Sequence, residues 1–300
     1  MILDEITLYN TGARKILMAQ NESRRQFLKK QVLLTGSLLL STYLTSKSIL
    51  TDPLYNNTSF GAGEPLQNNS QRIDEIKPQD LAIDISSRKR QFIIDHPIRD
   101  GDMSRKVALL TYDDWGNDEQ LTSILDAFSR FPKSNATFFF CGAYLSNCTR
   151  SIERMVNEGH VIGCHSWEHV WMDTLTTSEI NQSFGKFIKT LRQIIPGYQP
   201  EYFRMPYGGC KDPKKYYEVI EIAADWGLQH VYWSFYTEGK TPDGREIIKK
   251  NLAKGSIILC HMNYYFDILN TSWMLDYLEY RGYSAETLKT GLSPENYWNQ

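Results

Sequence analysis

Seven short apolar runs recur between Lys106 and Ser284, most of them followed by a stretch whose apolar residues return at helical spacing. The first, Lys106 to Trp115 (KVALLTYDDW), ends on adjacent carboxylates, Asp113 and Asp114. The others are Ala136 to Cys141, Val161 to Cys164, Tyr202 to Met205, His230 to Phe235, Ile257 to Cys260 and the pair Tyr283-Ser284. Helices are predicted over Gln120 to Phe131, Ile152 to Glu158, Thr177 to about Ile195, Pro213 to Trp226, Arg245 to Ala253 and Trp273 to Arg281. Pro196-Gly197 stops the third of these. Strands alternating with helices imply an α/β fold, a parallel sheet with crossover helices, and the count suits a closed or nearly closed (β/α) barrel of about seven strands. Such barrels place their chemistry at the C-terminal strand ends. Asp113, Asp114, His165, Arg204 and His261 all fall at or just past such ends.

The pattern in front of the barrel is different. Ser23-Arg24-Arg25-Gln26-Phe27-Leu28-Lys29-Lys30 precedes an apolar stretch from Val32 to Leu44, mild in hydropathy and of the length of a signal-peptide core. The SRRQFLKK run resembles the twin-arginine export signal of bacteria. We therefore expect residues 1–50 to be a twin-arginine-type signal or a membrane anchor, with the export machinery as a partner. A retained tether stays open, because no A-x-A cleavage site follows and Ser46 to Ser48 is only a loose substitute. Residues 51–80, rich in Asn, Ser, Gly, Pro and Gln, read as a flexible linker. Residues 81–105 hold two apolar runs, AIDI and QFIID, and read as a hairpin leading into a catalytic domain over 106–290.

At 300 residues with 41% hydrophobic content the chain is long enough to bury a full core. Of 33 Lys and Arg and 35 Asp and Glu, seven and three lie in the first fifty positions, which leaves a mildly acidic remainder. That balance argues against nucleic acid as a partner. Five cysteines with no CxxC pair argue against a thiolate metal site. Cys141 and Cys148 suit either a bridge after export or free thiols. Cys164 and Cys260 each precede a histidine on a strand and should face the opposite way, as small buried hydrophobes.

The candidate chemistry begins with the acid pair. Strand neighbours point to opposite sides, so Asp113 and Asp114 could divide the labour of holding a metal and taking a proton. They also suit a turn or a cap before Asn117. About fifty positions on, His165-Ser-Trp-Glu-His169 follows another apolar strand. Two imidazoles four residues apart, with Asp114, make a His, His, carboxylate set that leaves a coordination position open.

TYDDW, HSWEH, FRMPYGG (Phe203 to Gly209) and SIILCH (Ser256 to His261) resemble, in order and spacing, the motifs of the polysaccharide deacetylases, the NodB-like carbohydrate esterases. The resemblance spans roughly Lys106 to Leu288. It implies a deformed (β/α) barrel, with Asp114, His165 and His169 as ligands of a divalent metal, usually zinc, and Asp113 as the base. It further implies that Arg204 pairs with that base, that the backbone N–H of Tyr207 helps hold the oxyanion and that His261 is the proton donor to the leaving amine. Taken alone, Arg204 suits a surface salt bridge, His261 a structural histidine and Gly208-Gly209 a plain turn. Trp115, Trp167 and Trp233 are expected to line a sugar-binding groove.

One motif departs from the family. Where Asp-x-x-Asp-Trp is usual, this chain has Tyr236-Thr-Glu-Gly-Lys240, so the carboxylate that tunes the histidine equivalent to His261 is replaced by Tyr236. Glu238, in a shifted register, is the nearest substitute. The leading expectation is an exported zinc-dependent hydrolase that removes N-acetyl groups, with O-acetyl groups second, from a cell-envelope or extracellular polysaccharide. The alternatives are a catalytically impaired relative that binds glycan and an amidohydrolase acting on a small amide.

Overall fold

The computed structural model describes residues 76–298; the expected export segment and nearly all of the linker lie outside them. Eight short strands are assigned: β1 (Val107–Asp114), β2 (Thr137–Phe140), β3 (Val161–Cys164), β4 (Tyr202–Phe203), β5 (Gln229–His230), β6 (Phe235–Tyr236), β7 (Ser256–His261) and β8 (Ser284–Ala285). Every ladder is parallel. The order is β5-β4-β3-β2-β1-β7-β6, with β8 against the start of β1. The helices are α1 (Ser87–Asp95), α2 (Asp118–Phe128), α3 (Thr149–Asn157), α4 (Thr177–Ile194), α5 (Pro213–Asp225), α6 (Gly244–Asn251), α7 (Tyr265–Tyr280) and α8 (Leu288–Gly291). This is the parallel (β/α) barrel that the alternation predicts, in the deformed form that the resemblance implies.

The run from His230 to Phe235, read from sequence as one strand, is divided. Its first part pairs with β4 and its last part with β7, so one extended segment is shared by the two ends of the sheet and draws them into a ring. Between the two, Val231 N–H donates to Phe203 O (2.9 Å) and Ser234 N–H to Ile257 O (2.9 Å).

The strand period of two sorts the core into two layers. Leu109, Phe139, Tyr202, Val231 and Ile257 pack inside the ring, while Leu110, Tyr112, Phe138, Phe140 and Ile258 pack outward against the helices. The helices answer with a single apolar face, as in α2, where Leu121, Ile124, Leu125 and Phe128 are buried. β1 lies between β2 and β7 with all eight residues buried, which sets its terminal acids at the middle of one rim.

Two sequence expectations need correction. Residues 81–105 form no hairpin: Ser86 accepts from Lys89 N–H and caps α1, so QFIID lies on a helix with Ile93 buried, and Ile98 then makes a lone parallel bridge to Val231. The last long helix begins at Tyr265 rather than Trp273. Its inner face carries buried Asp267, Asn270 and Thr271, and polar residues on the buried side hide the apolar period. All five cysteines are free. Cys164 and Cys260 lie in the outer layer, as their strand positions require. Among the described residues no helix is long and apolar enough to cross a membrane.

Candidate active site

Strand register assembles the site. Asp113 stands opposite His261 on β7, and one further step along the sheet aligns Asp114, Phe140, Cys164, Phe203 and His230 across five strands. His165 and Arg204 are the next residues after two of these, held by His165 N–H to Phe140 O (2.8 Å) and Arg204 N–H to Cys164 O (2.9 Å). Side chains distant in sequence therefore leave the same rim.

Ideal alternation would aim Asp114 at the helices. Its φ of +80° turns it instead, and Ser166 (+66°), His169 (+57°) and Tyr207 (+61°) share that left-handed conformation. Four non-glycine residues in this region around one cleft mark stored backbone strain, which surrounding structure must hold in place. The acids are not needed as a helix cap, since Asn117 caps α2 in a reciprocal pair with Gln120.

The carboxylate of Asp114 meets both imidazoles, with Oδ1 3.1 Å from His169 Nε2 and 3.5 Å from His165 Nε2. One donor atom from each of the three lies within 4.8 Å of the others. His165 Nδ1 is 2.8 Å from Arg204 O, a carbonyl that only accepts, so Nδ1 carries the hydrogen and Nε2 turns a lone pair to the cleft. Burial pushes the Asp114 carboxyl up, but the adjoining His165 and His169 imidazoles outweigh it and hold the group below the usual carboxylate range. Burial likewise opposes charge on His165, yet Asp113 and Asp114 overcome it and raise its pKa. Two buried carboxylates against one buried guanidinium leave an excess of negative charge, which a proton or a metal ion would balance. A one-oxygen, two-nitrogen donor set with this electrostatic excess fits a divalent metal.

Asp113 is locked by Arg204, which is fully buried. Nη1 donates to Asp113 Oδ1 (2.7 Å) and Thr111 Oγ1 (2.8 Å), Nε to Val231 O (3.1 Å) and Nη2 to Tyr232 O (2.9 Å). The guanidinium also lies over the ring of Phe139, 4.4 Å from its centroid. Asp113 Oδ2 stays 3.8 Å from His165 Nε2. One carboxylate oxygen is thus fixed and the other faces the donor cluster.

Tyr207 lies in a short turn, Pro206–Gly208, stacked on Trp171 (4.4 Å) and edge-on to His169 (4.7 Å). Gly208, at φ +85°, has no room for a Cβ, which would come within 2.7 Å of Trp233. Trp233 therefore packs on this turn, with Arg204 5.6 Å from its ring centroid. Trp115 stacks on Tyr144 (4.7 Å) and meets His169 edge-on (6.2 Å). Trp167, expected in the groove, packs away from it: its ring fills the space over Gly142, and its backbone N–H donates to Ser183 Oγ (2.8 Å).

His261 stacks on Tyr264 (4.1 Å). Tyr236 is exposed, and Glu238, the substitute considered from sequence, is exposed too, with only its carbonyl engaged in a turn to Thr241. The carboxylate nearest His261 is Asp267, which the sequence reading missed because the first turns of α7 were not recognised. Its signal was an acid six positions after the histidine.

The sequence profile of the polysaccharide deacetylase family matches residues 100–231. A chitooligosaccharide deacetylase of Bradyrhizobium is 30% identical over 169 residues, 55% of this chain and 74% of that protein. The peptidoglycan-N-acetylmuramic acid deacetylase PdaC of Bacillus subtilis is 28% identical over 204 residues, 68% of this chain but only 39% of its own length. Among solved structures, a family 4 carbohydrate esterase pseudoenzyme from Bacillus anthracis superposes with a TM-score of 0.59 at 24% identity, covering 66% of this chain and 69% of the other; at that identity the likeness speaks for the fold alone.

Proposed function

Because this chain belongs to the polysaccharide deacetylase family, we propose that it hydrolyses N-acetyl groups on a cell-envelope polysaccharide, with peptidoglycan or a chitin-like oligosaccharide as the first substrates to try. The observation that carries this reading is the joined constellation of Asp114, His165 and His169 beside an Asp113 clamped by buried Arg204. In this reading the three donors hold zinc or a similar ion. When bound, such an ion polarises the acetyl carbonyl and acidifies water towards a pKa near ~7.

The remaining roles belong to the chain. Asp113 accepts a proton through its free oxygen, because Arg204 occupies the other and keeps the carboxylate aimed. His261, on the opposite side, delivers a proton to the departing amine. The backbone N–H of Tyr207, set by its strained turn, meets the oxyanion. Trp115 and Trp233 offer apolar faces to sugar rings beside the site. Residues 1–50 carry the further proposal of export by the twin-arginine route, with or without a retained membrane tether.

Metal content and acetate release test this together. Purified protein should carry one divalent ion per chain, lost in His165→Ala, and should release acetate from N-acetylated glycans. Absence of bound zinc after reloading would overturn the hydrolase reading. One observation favours a second reading, a glycan-binding relative with impaired catalysis: Tyr236 stands where a tuning aspartate is usual and is turned to solvent. Glycan affinity without acetate release from a metal-loaded protein would select it.

A further inference from the structure

His261 Nδ1 is a buried ring nitrogen with no hydrogen-bond partner. The imidazole as a whole keeps 18% exposure, so its open edge is the opposite one, which carries Nε2. A buried, unpaired nitrogen is costly, and it calls for a partner that closes on it during function. Asp267 Oδ2 lies 3.6 Å away.

That carboxylate is held in place with care. Asp267 is 1% exposed, in the first turn of α7. Oδ2 accepts from the backbone N–H of His261 itself (2.8 Å), and Oδ1 accepts from Thr237 Oγ1. Phe266 N–H donates to Gly239 O (3.2 Å), tying the start of α7 to the loop after β6. Gly239 then explains the space: a Cβ there would fall 2.1 Å from Asp267 Oδ2 and 2.5 Å from Oδ1, and its three nearest atoms all belong to that carboxylate. The volume that a side chain on the β6 loop would use to reach His261 is already filled from α7.

We propose that Asp267 is the positioning residue of His261, a carboxylate supplied from α7 that holds the hydrogen on Nδ1 and presents Nε2 to the cleft. A small rotation of the ring converts the 3.6 Å approach into a charge-assisted N–H···O bond, while the backbone bond to Oδ2 keeps the acid in register. The exposure of Tyr236 then has a counterpart: the carboxylate is not missing but enters from another element. The catalytic consequence rests on the deacetylase reading; the positional one does not.

The test reads both separately. In full-length protein with 15N-labelled histidine, the His261 resonance, assigned by its loss in His261→Gln, should report hydrogen on Nδ1. Asp267→Asn, which keeps volume and acceptor oxygen, should shift it towards the Nε2-H form and lower kcat by roughly 10²-fold with KM within about twofold. Gly239→Asp alone should be damaging, because it collides with Asp267. In an Asp267→Ala background it should restore the Nδ1-H form and at least tenfold of the lost kcat. An unchanged His261 tautomer in Asp267→Asn, or a double variant no better than Asp267→Ala, would overturn the proposal and leave Asp267 as a brace for the start of α7. If the wild type releases no acetate, the deacetylase reading fails while the nitrogen resonances still decide the role of Asp267.

Discussion

On the Asp113 side of the cleft Asp113, Asp114, His165 and Arg204 leave strand ends in adjacent register, with His165 Nδ1 held on Arg204 O and Asp113 Oδ1 held by Arg204 Nη1. On the His261 side the histidine also leaves a strand end, but its neighbours come from a two-residue strand, a glycine-bearing loop and the first turn of a helix. The first side is overdetermined by sheet geometry, because strand register fixes where each of these side chains leaves the rim. The second depends on packing between loops, where a carboxylate can enter by more than one route. A site can thus keep one half fixed while the other is rebuilt.

The sharpest way to break this contrast is at Asp113. Asp113→Asn should reduce turnover by roughly 10²–10⁴-fold while the metal content measured on purified protein stays the same. Retained activity would remove Asp113 as the base and with it the asymmetry between the two sides. Next in size is Arg204→Met. It leaves the Asp113 carboxylate buried without its cation, and chemical denaturation should register a loss of about 3–5 kcal/mol. A loss below 1 kcal/mol would mean that water reaches Asp113 and that the network is not closed.

Acid titration separates histidines inside the site from those beneath it. Burial, with Arg204 and Arg99, takes His230 down to about 3, and burial with Arg154 takes His160 down to about 4. Both stay neutral in the fold, whereas the unfolded chain protonates them below its ordinary value near 6.5. Stability is therefore full above that pH and declines as pH falls towards 4 and then 3, by on the order of 1 kcal/mol per unit per histidine. His230→Phe should flatten the denaturation free energy across this window. An unaltered slope would show that His230 reaches solvent. The smallest effect is expected at Trp115→Ala, where KM for a glycan should rise about fivefold to tenfold, roughly 1 kcal/mol, with kcat unchanged.

The legibility of the sequence follows the same division. Strand ends with DD, HxxxH and RMPY could be read because strand period and register convert sequence position directly into direction, and the barrel followed from the alternation of apolar runs. Asp114 was placed correctly on its strand, yet its turn into the cleft depends on a positive φ that no pattern announces. The hairpin expected over 81–105 failed because two apolar runs in a row look alike whether Ser86 caps a helix or a strand begins. Asp267 escaped for a related reason: an inward-facing acid on a helix removes the very periodicity by which the helix is recognised.

The extended segment from Gln229 to Tyr236 carries one more implication. Two of its carbonyls, on Val231 and Tyr232, receive the Nε and Nη2 hydrogens of Arg204, and the remaining arm of that guanidinium reaches Asp113. The ring cannot spring apart at its seam without first tearing away the rivet that aims the base, so mechanical integrity and proton transfer fail together at one joint.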